Sequence, residues 1–390
     1  MCGTFYDGCS DGRRSPPDCS LRQHRTGRDV LWQLFFPITR LKSMHHLSAV
    51  DSRKISVVIQ GPLYRNLSPE RNIFACIASI RAHLPQAEII VSTWRSEDIS
   101  AIEVDQIVVS DDPGSFIDDA DNQINTNRML RSTLCGIQAA TRPYVMKMRA
   151  DHNLTSAALA VAGQYDETES AELRLFDTPI TATTLYIRDP ARFPLLFHIS
   201  DLVQFGSRDA MLFMWEQPLF ERADLFNPKP SRNPFGNFVG YTSARMVSEQ
   251  AIMLGAMRRR GIDAKLTRPC QVGLSNLKLW DEVLRCNFRV LDHGVAGVDF
   301  PERFVANNYV LKTLYSAADI EQLRHLGTEA YTVRIMRIWL NQYVLNCLRP
   351  GWWVSSITIA LFTISPTLAK AVRSYWRKSR KLVHAEAYRV

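Results

Sequence analysis

No G-x-G-x-x-G follows the first apolar run of this sequence, and no G-x-x-x-x-G-K occurs in it. Dinucleotide dehydrogenase and P-loop ATPase readings therefore lose their main support. Cysteine is sparse and scattered: Cys2, Cys9, Cys19, Cys76, Cys135, Cys270, Cys286 and Cys347 include no two at zinc-pair spacing. They read as reduced, mostly buried thiols of a cytoplasmic protein rather than a disulfide framework. The first residues hold no apolar run of signal-peptide type, so nothing there points to export. The body of the chain also lacks basic residues interleaved with aromatics, which argues against a nucleic-acid partner. No internal repeat is visible.

What is present is ample material for a core: 46% of the 390 residues are hydrophobic, 22% charged and 10% aromatic. That balance excludes a disordered or collagen-like chain. The net charge of +8 is concentrated, because residues 370–390 hold seven basic side chains and one acidic one. Residues 1–53, rich in Gly, Ser, Pro, Arg and Asp, read as a loose arm.

Order is expected from Lys54. Ile55–Ile59 is a β-branched run closed by Gly61-Pro62, the pattern of a buried strand ending in a turn. Ser68-Pro69-Glu70 predicts a helix start, with apolar positions Ile73, Phe74, Ile77, Ile80 and Leu84 recurring at three and four residues and Pro85 as its stop. Further strands are expected at Glu88–Trp94, Gln106–Val109 and Tyr144–Asp151, and a helix from about Asn122 to Ala140. More strand-like pieces follow at Thr183–Ile187 and Ile199–Phe205. A helix over Ser248–Arg260 ends at Gly261. Strands alternating with helices imply an α/β fold with a mostly parallel sheet covered on both faces.

Ligands of such sheets bind outside the carboxyl ends of the strands. Three loops there are acidic or Pro/Gly-marked: Gln60-Gly61-Pro62, Ser110-Asp111-Asp112-Pro113-Gly114 and Arg149-Ala150-Asp151. Carboxylates in such loops suit a nucleotide sugar, accepting from ribose hydroxyls and base N–H groups, or holding a divalent ion, Mg²⁺ or Mn²⁺, against a diphosphate. Asp151 is the candidate metal ligand. Pro62, Asp111, Asp112, Arg128, Arg149 and Asp151 form the candidate nucleotide-sugar-binding set. Two plainer readings stand beside these. Lys147 and Arg149 share a strand face with Asp151 and could pair with it in a structural salt bridge, and Asp-Pro-Gly is a common turn. Glu249, at a helix start that favours its ionised form, is a candidate general base.

The runs Lys54–Leu63, Ser92-Thr93-Trp94, Ser110–Gly114, Lys147–Asp151 and Ile199–Gly206 together resemble the WavE lipopolysaccharide-synthesis family over roughly residues 54–310. More widely, the layout is similar to the GT-A glycosyltransferases. The resemblance implies a GT-A-like (Rossmann-like) domain and an inverting transfer from a nucleotide-sugar donor to a saccharide or lipid-linked saccharide acceptor. Two departures stand out: Arg149-Ala150-Asp151 occupies the place of an Asp-x-Asp motif, and Glu249-Gln250 that of a Glu-Asp pair. If the base belongs to the second residue of that pair, Glu249 must replace it, with Asp201 as the alternative base. A nucleotidyltransferase, or a catalytically silent nucleotide-binding protein of the same fold, are the competing readings.

Beyond residue 310 a helical C-terminal extension, 311–390, is expected. Trp352–Ala369 carries no charge, but six of its 18 residues are Ser or Thr and Pro366 interrupts it. Trp353, Ile357, Leu361, Ile364 and Leu368 share one helical face, which suits an interfacial or core-packing helix better than a span. With the basic segment after it, this predicts a peripheral contact with the inner face of the cytoplasmic membrane.

Overall fold

The computed structural model describes residues 49–118, 123–165, 170–232, 241–306, 311–348, 350–372 and 374–375, all within the unit Leu47–Val390. Nearly all of the arm expected over residues 1–53, with Cys2, Cys9 and Cys19, lies outside the described residues, as does most of the basic segment after Lys370.

The frame is a seven-stranded sheet: β1 (Ile55–Gln60), β2 (Glu88–Trp94), β3 (Gln106–Ser110), β4 (Tyr144–Arg149), β5 (Ile180–Thr183), β6 (Gln204–Ser207) and β7 (Phe288–Leu291). Its order is β7-β5-β6-β4-β1-β2-β3. β1 pairs parallel with β2 and β4, β2 with β3, and β5 with β7. Only β6, between β4 and β5, runs antiparallel. This is the mostly parallel α/β sheet that the strand–helix alternation predicts.

Both faces are covered, which is why β1 and β2 are buried along their whole lengths. On one face Ile55, Val57 and Ile59 pack with Ile73, Cys76 and Ile80 of helix α1 (Ile73–His83). On the other, Val58 and Ile90 meet Leu130 and Ile137 of helix α2 (Thr126–Ala139). α2 approaches β1 closely: a Cβ built on Gly136 would lie 2.3 Å from Val58 Cγ1. Helix α3 (Arg208–Trp215) follows β6, and α4 (Ser248–Arg259) and α5 (Leu274–Asn287) add to the α2 face. As expected, α4 ends at Gly261, which has φ +74°.

Several boundaries differ from the sequence pattern. α1 begins not at Ser68-Pro69 but at Ile73, because Asn72 caps it, its side-chain oxygen accepting from the N–H groups of Phe74 and Ala75 at 3.0 Å. The Asn72 amide also donates to Ser68 O (3.0 Å), which holds Ser68–Arg71 as a turn ahead of the helix. The strand expected at Thr183–Ile187 lies three residues earlier, and Tyr186 has φ +75°, which no strand accommodates. Of Ile199–Phe205 only the last residues join β6.

The C-terminal region is helical: α6 (Ala317–His325), α7 (Thr328–Trp339) and α8 (Pro350–Ile364). Asp281 of α5 fastens α7 by accepting from Arg334 Nη2 (3.0 Å) and Tyr331 Oη (3.1 Å). The apolar face of α8 is not in the core. Trp353, Ile357 and Ile364 are 59%, 60% and 82% exposed. Among the described residues no helix is long and apolar enough to cross a membrane.

Gly136→Ala should destabilise the fold by about 1–3 kcal/mol, because Val58 sits within a strand and cannot move away without shifting β1. Urea unfolding monitored by circular dichroism would measure it, and an unchanged midpoint would contradict the close approach of α2 to β1.

Candidate functional site

The four neighbouring parallel strands β1–β4 all end at one edge of the sheet, and each candidate loop leaves from there. After β1, Gly61 turns the chain with φ +92°, a conformation that glycine adopts without strain. The loops after β1 and β2 border an open cavity of about 420 Å³ lined by Pro62, Tyr64, Arg65, Ser96, Glu97 and Asp98. Leu63 N–H donates to Glu97 (3.0 Å) and Arg65 pairs with Asp98 (3.5 Å), which holds the two loops together.

Asp111 and Asp112 leave the edge strand β3, three strands from β4, a lateral separation of about 14 Å. Both have local partners. Asp111 is exposed and paired with Arg95 (2.9 Å). Asp112 accepts from Arg128 through both oxygens, at 2.7 and 2.5 Å, and from Gly114 N–H (2.9 Å). The Arg128 guanidinium holds the Asp112 carboxyl below the usual carboxylate range. Pro62 and this Asp112–Arg128 pair thus lie on either side of the β2 exit.

β4 delivers the densest charge. Lys147 has no solvent exposure; its ammonium donates to the Asp201 carbonyl, lies 3.6 Å from the Asp201 carboxylate and sits 4.7 Å above the Trp215 ring. Burial pushes this lysine down to about 8, against the pull of Asp201. Asp201 arrives because β6 is antiparallel: its first residue, Gln204, is opposite Lys147, so the segment before it lies at the β4 exit.

Asp151, also fully buried, accepts from Arg149 (Nε 3.0 Å, Nη2 3.3 Å), from His152 Nδ1 (2.8 Å) and from Arg303. Burial works to raise its pKa, but His152 and Arg149 outweigh that and hold the carboxyl well below the usual range. The salt-bridge alternative thus describes Arg149 and Asp151, whereas Lys147 pairs with Asp201 instead. As for a divalent ion, the Asp151 oxygens already face two guanidiniums and an imidazole. Among the described residues no group of three His, Cys, Asp or Glu side chains could hold a metal. This donor set does not fit the Mg²⁺ or Mn²⁺ expected at Asp151.

Glu249 reaches the same edge from α4. Thr126 at the start of α2 and Ser248 at the start of α4 share a 2.7 Å hydrogen bond, which brings the two helix N-termini together. Glu249 lies 3.5 Å from His198 Nε2. Burial would raise its pKa, but His198, its own backbone N–H and Lys147 outweigh that and keep it lowered. Its neighbour Gln250 serves the packing instead. Buried, it donates to Leu196 O (2.7 Å) and Pro269 O (3.0 Å) and accepts from Val247 N–H (3.1 Å). Tyr186 lies within electrostatic reach of Arg188, Glu249, Asp201 and Arg303 together, so these groups surround one region.

The structure therefore brings Arg149, Asp151, Asp201 and Glu249 together, and sets Asp111, Asp112 and Arg128 apart at the sheet edge. Sequence reasoning missed His198, Tyr64, Arg303 and Phe304. Arg303 lies 152 residues from the carboxylate it contacts, and no local pattern marks it.

Asp151→Asn should cost about 3 kcal/mol at pH 7, since it leaves Arg149 without its buried counter-charge. The folded pKa of Asp151 is depressed, so its stabilisation is complete above about pH 3.9 and fades as pH falls toward the folded value. Denaturant unfolding of both proteins across pH 3–7 should show the gap closing below about pH 4. A gap constant with pH would exclude an ionised, paired Asp151.

Comparison with known proteins adds a family and a distant structural likeness. The family described as WavE lipopolysaccharide synthesis matches residues 55–376. A comparison with curated proteins gives no match. Among solved structures, the chain is similar to a mutant Drosophila β-1,4-galactosyltransferase 7 in complex with manganese, UDP-Gal and xylobiose. Sequence identity is 12%, the TM-score is 0.24, and the match covers 56% of this chain and 66% of that one, just short of two thirds. At that score the likeness carries no weight for this chain.

Proposed function

The chain belongs to the WavE lipopolysaccharide synthesis family, and from that premise we propose that it is a glycosyltransferase. It moves a sugar from a nucleotide-sugar donor to a saccharide acceptor. The observation that carries this reading is the convergence of Glu249, Asp201 and Lys147, supplied by three separate elements, on the exit of β4 beside the cavity between the β1 and β2 loops.

In this reading the nucleoside lies against Pro62 and Tyr64, with the Asp111–Asp112 loop and Arg128 toward its outer side. Glu249 accepts the proton of the acceptor hydroxyl as that oxygen bonds to the anomeric carbon. The bond from that carbon to the diphosphate oxygen breaks, the nucleoside diphosphate leaves, and the configuration inverts. Glu249 suits the base better than Asp201 on two grounds. Its side chain is 24% exposed against 13%, and Asp201 is committed to the Lys147 ammonium.

We place the reaction at the cytoplasmic face of a membrane, with a lipid-linked saccharide as the acceptor. The exposed Trp353, Ile357 and Ile364 of α8 support this, as does the net +6 of residues 370–390. Fifteen helical residues rise about 22 Å, short of the hydrocarbon thickness, so α8 suits the interface rather than a crossing.

Glu249→Gln keeps shape and most hydrogen bonding, so donor affinity should hold while transfer slows by about two to four orders of magnitude. Release of nucleoside diphosphate from a panel of nucleotide sugars, with and without acceptor, measures this. A near-normal rate would remove Glu249 as base. No release from any donor would remove the glycosyl-transfer reading.

Replacing Trp353, Ile357 and Ile364 together by Ser should weaken binding to anionic vesicles at least about tenfold, because the apolar anchor is lost while the charge remains. Vesicle co-sedimentation at low salt reads it out. Equal binding by both proteins would exclude α8 as the anchor.

A further inference from the structure

The exit of β4 presents two guanidiniums against one carboxylate. Arg149 lies 5.6 Å from both the Tyr64 and the Phe304 ring centroids, and Arg303 lies 5.7 and 4.8 Å from the same two rings. Asp151 ties them from the buried side, and the Tyr64 hydroxyl accepts from Arg149 Nη2 at 2.5 Å. A guanidinium has five N–H donors in one plane, and stacking on a ring leaves its edge free to reach acceptors. Arg149 Nη1, and Nε and Nη1 of Arg303, have no protein acceptor among the described residues. The charge is also uneven. Lys147 is offset by Asp201, His152 is pushed toward its neutral form by burial, and Asp151 balances only one of the two arginines. The two guanidiniums thus share one carboxylate, on partly exposed side chains beside a ring, that of Tyr64, which also lines the 420 Å³ cavity.

We propose that Arg149 and Arg303, tied by Asp151 and stacked on Tyr64 and Phe304, form a metal-independent clamp for the diphosphate of the donor. Arg149 Nη1 and the Nε and Nη1 of Arg303 remain to donate to phosphate oxygens, and charge-assisted bonds of this kind are the strong ones. Asp151, whose oxygens are engaged by nitrogen donors rather than directed at an ion, acts as a positioning residue. It fixes the angle between the forks. The clamp rests on the glycosyl-transfer reading for its ligand, but its chemistry is testable without a donor sugar.

The probe is inorganic pyrophosphate, titrated calorimetrically into the full chain in EDTA and again in excess Mg²⁺ or Mn²⁺. Binding is expected in EDTA, with Kd raised at least about tenfold in Arg303→Gln. Arg303→Lys, which keeps the charge and removes the fork, should also bind several-fold more weakly. Arg303 is nearly half exposed, so both variants should melt close to the parent. Binding that requires the divalent ion, or an Arg303→Gln protein that binds as tightly as the parent, overturns the clamp whatever the turnover. Binding in EDTA that Arg303→Gln removes, in a protein that turns over no nucleotide sugar, keeps the clamp and removes the transferase reading.

Discussion

Carrying a lysine ammonium and an aspartate carboxylate out of water costs several kcal/mol each, and β4 does both within five residues. Lys147 has no partner on the strand, and Arg149 and His152 are not the whole of the partners that Asp151 takes, so the surrounding fold must supply the rest. Asp201 comes from the segment before β6, Trp215 from the end of α3, and Arg303 from a short helix (Glu302–Val305) far along the chain. The reversed direction of β6 is tied to the same need: a strand parallel to β4 would begin at the opposite edge and leave Lys147 facing apolar side chains. The charge network at this exit is a constraint that the second half of the sheet satisfies.

Much of the first half was legible in the sequence. The runs at Ile55, Glu88 and Gln106 are short and β-branched, that at Tyr144 is short and largely apolar, and each becomes a strand close to its expected limits. The helix ending at Gly261 was equally plain, since a positive φ there suits glycine. Errors arose where local chemistry offered two answers. Ser68-Pro69 has the form of a helix start, but Asn72 caps two N–H groups and wins. Between Thr183 and Phe205 the apolar density is high throughout, so hydropathy could not tell strand from buried loop.

The candidate site was legible only in part, because ion pairs between distant residues leave no periodic trace. Asp151 and Glu249 are identifiable from the ends of their own elements. Arg303 is not, and neither is His198, because each is defined by what the fold sets beside it. Glu249 and Gln250 make the point at the closest range. Adjacent on α4, one is paired with an imidazole near open space and the other is buried and spent on two carbonyls. No single-sequence pattern distinguishes these fates, although the neutral side chain is the one that tolerates burial without a counter-charge.

The 152-residue separation of Asp151 from Arg303 also sets a schedule. During synthesis at about 5–20 residues per second, Asp151 precedes Arg303 by about 8–30 s. Through that interval the β4 exit lacks one of the cations that Asp151 ends with, while apolar partners of the sheet such as Phe205, Met253 and Trp280 are still being made. The nascent half-sheet can collapse early, yet its β4 exit remains wet until the last partner is delivered. A chain interrupted before Arg303 would be left with the scaffold and a buried carboxylate that has Arg149 and His152 but not its second guanidinium.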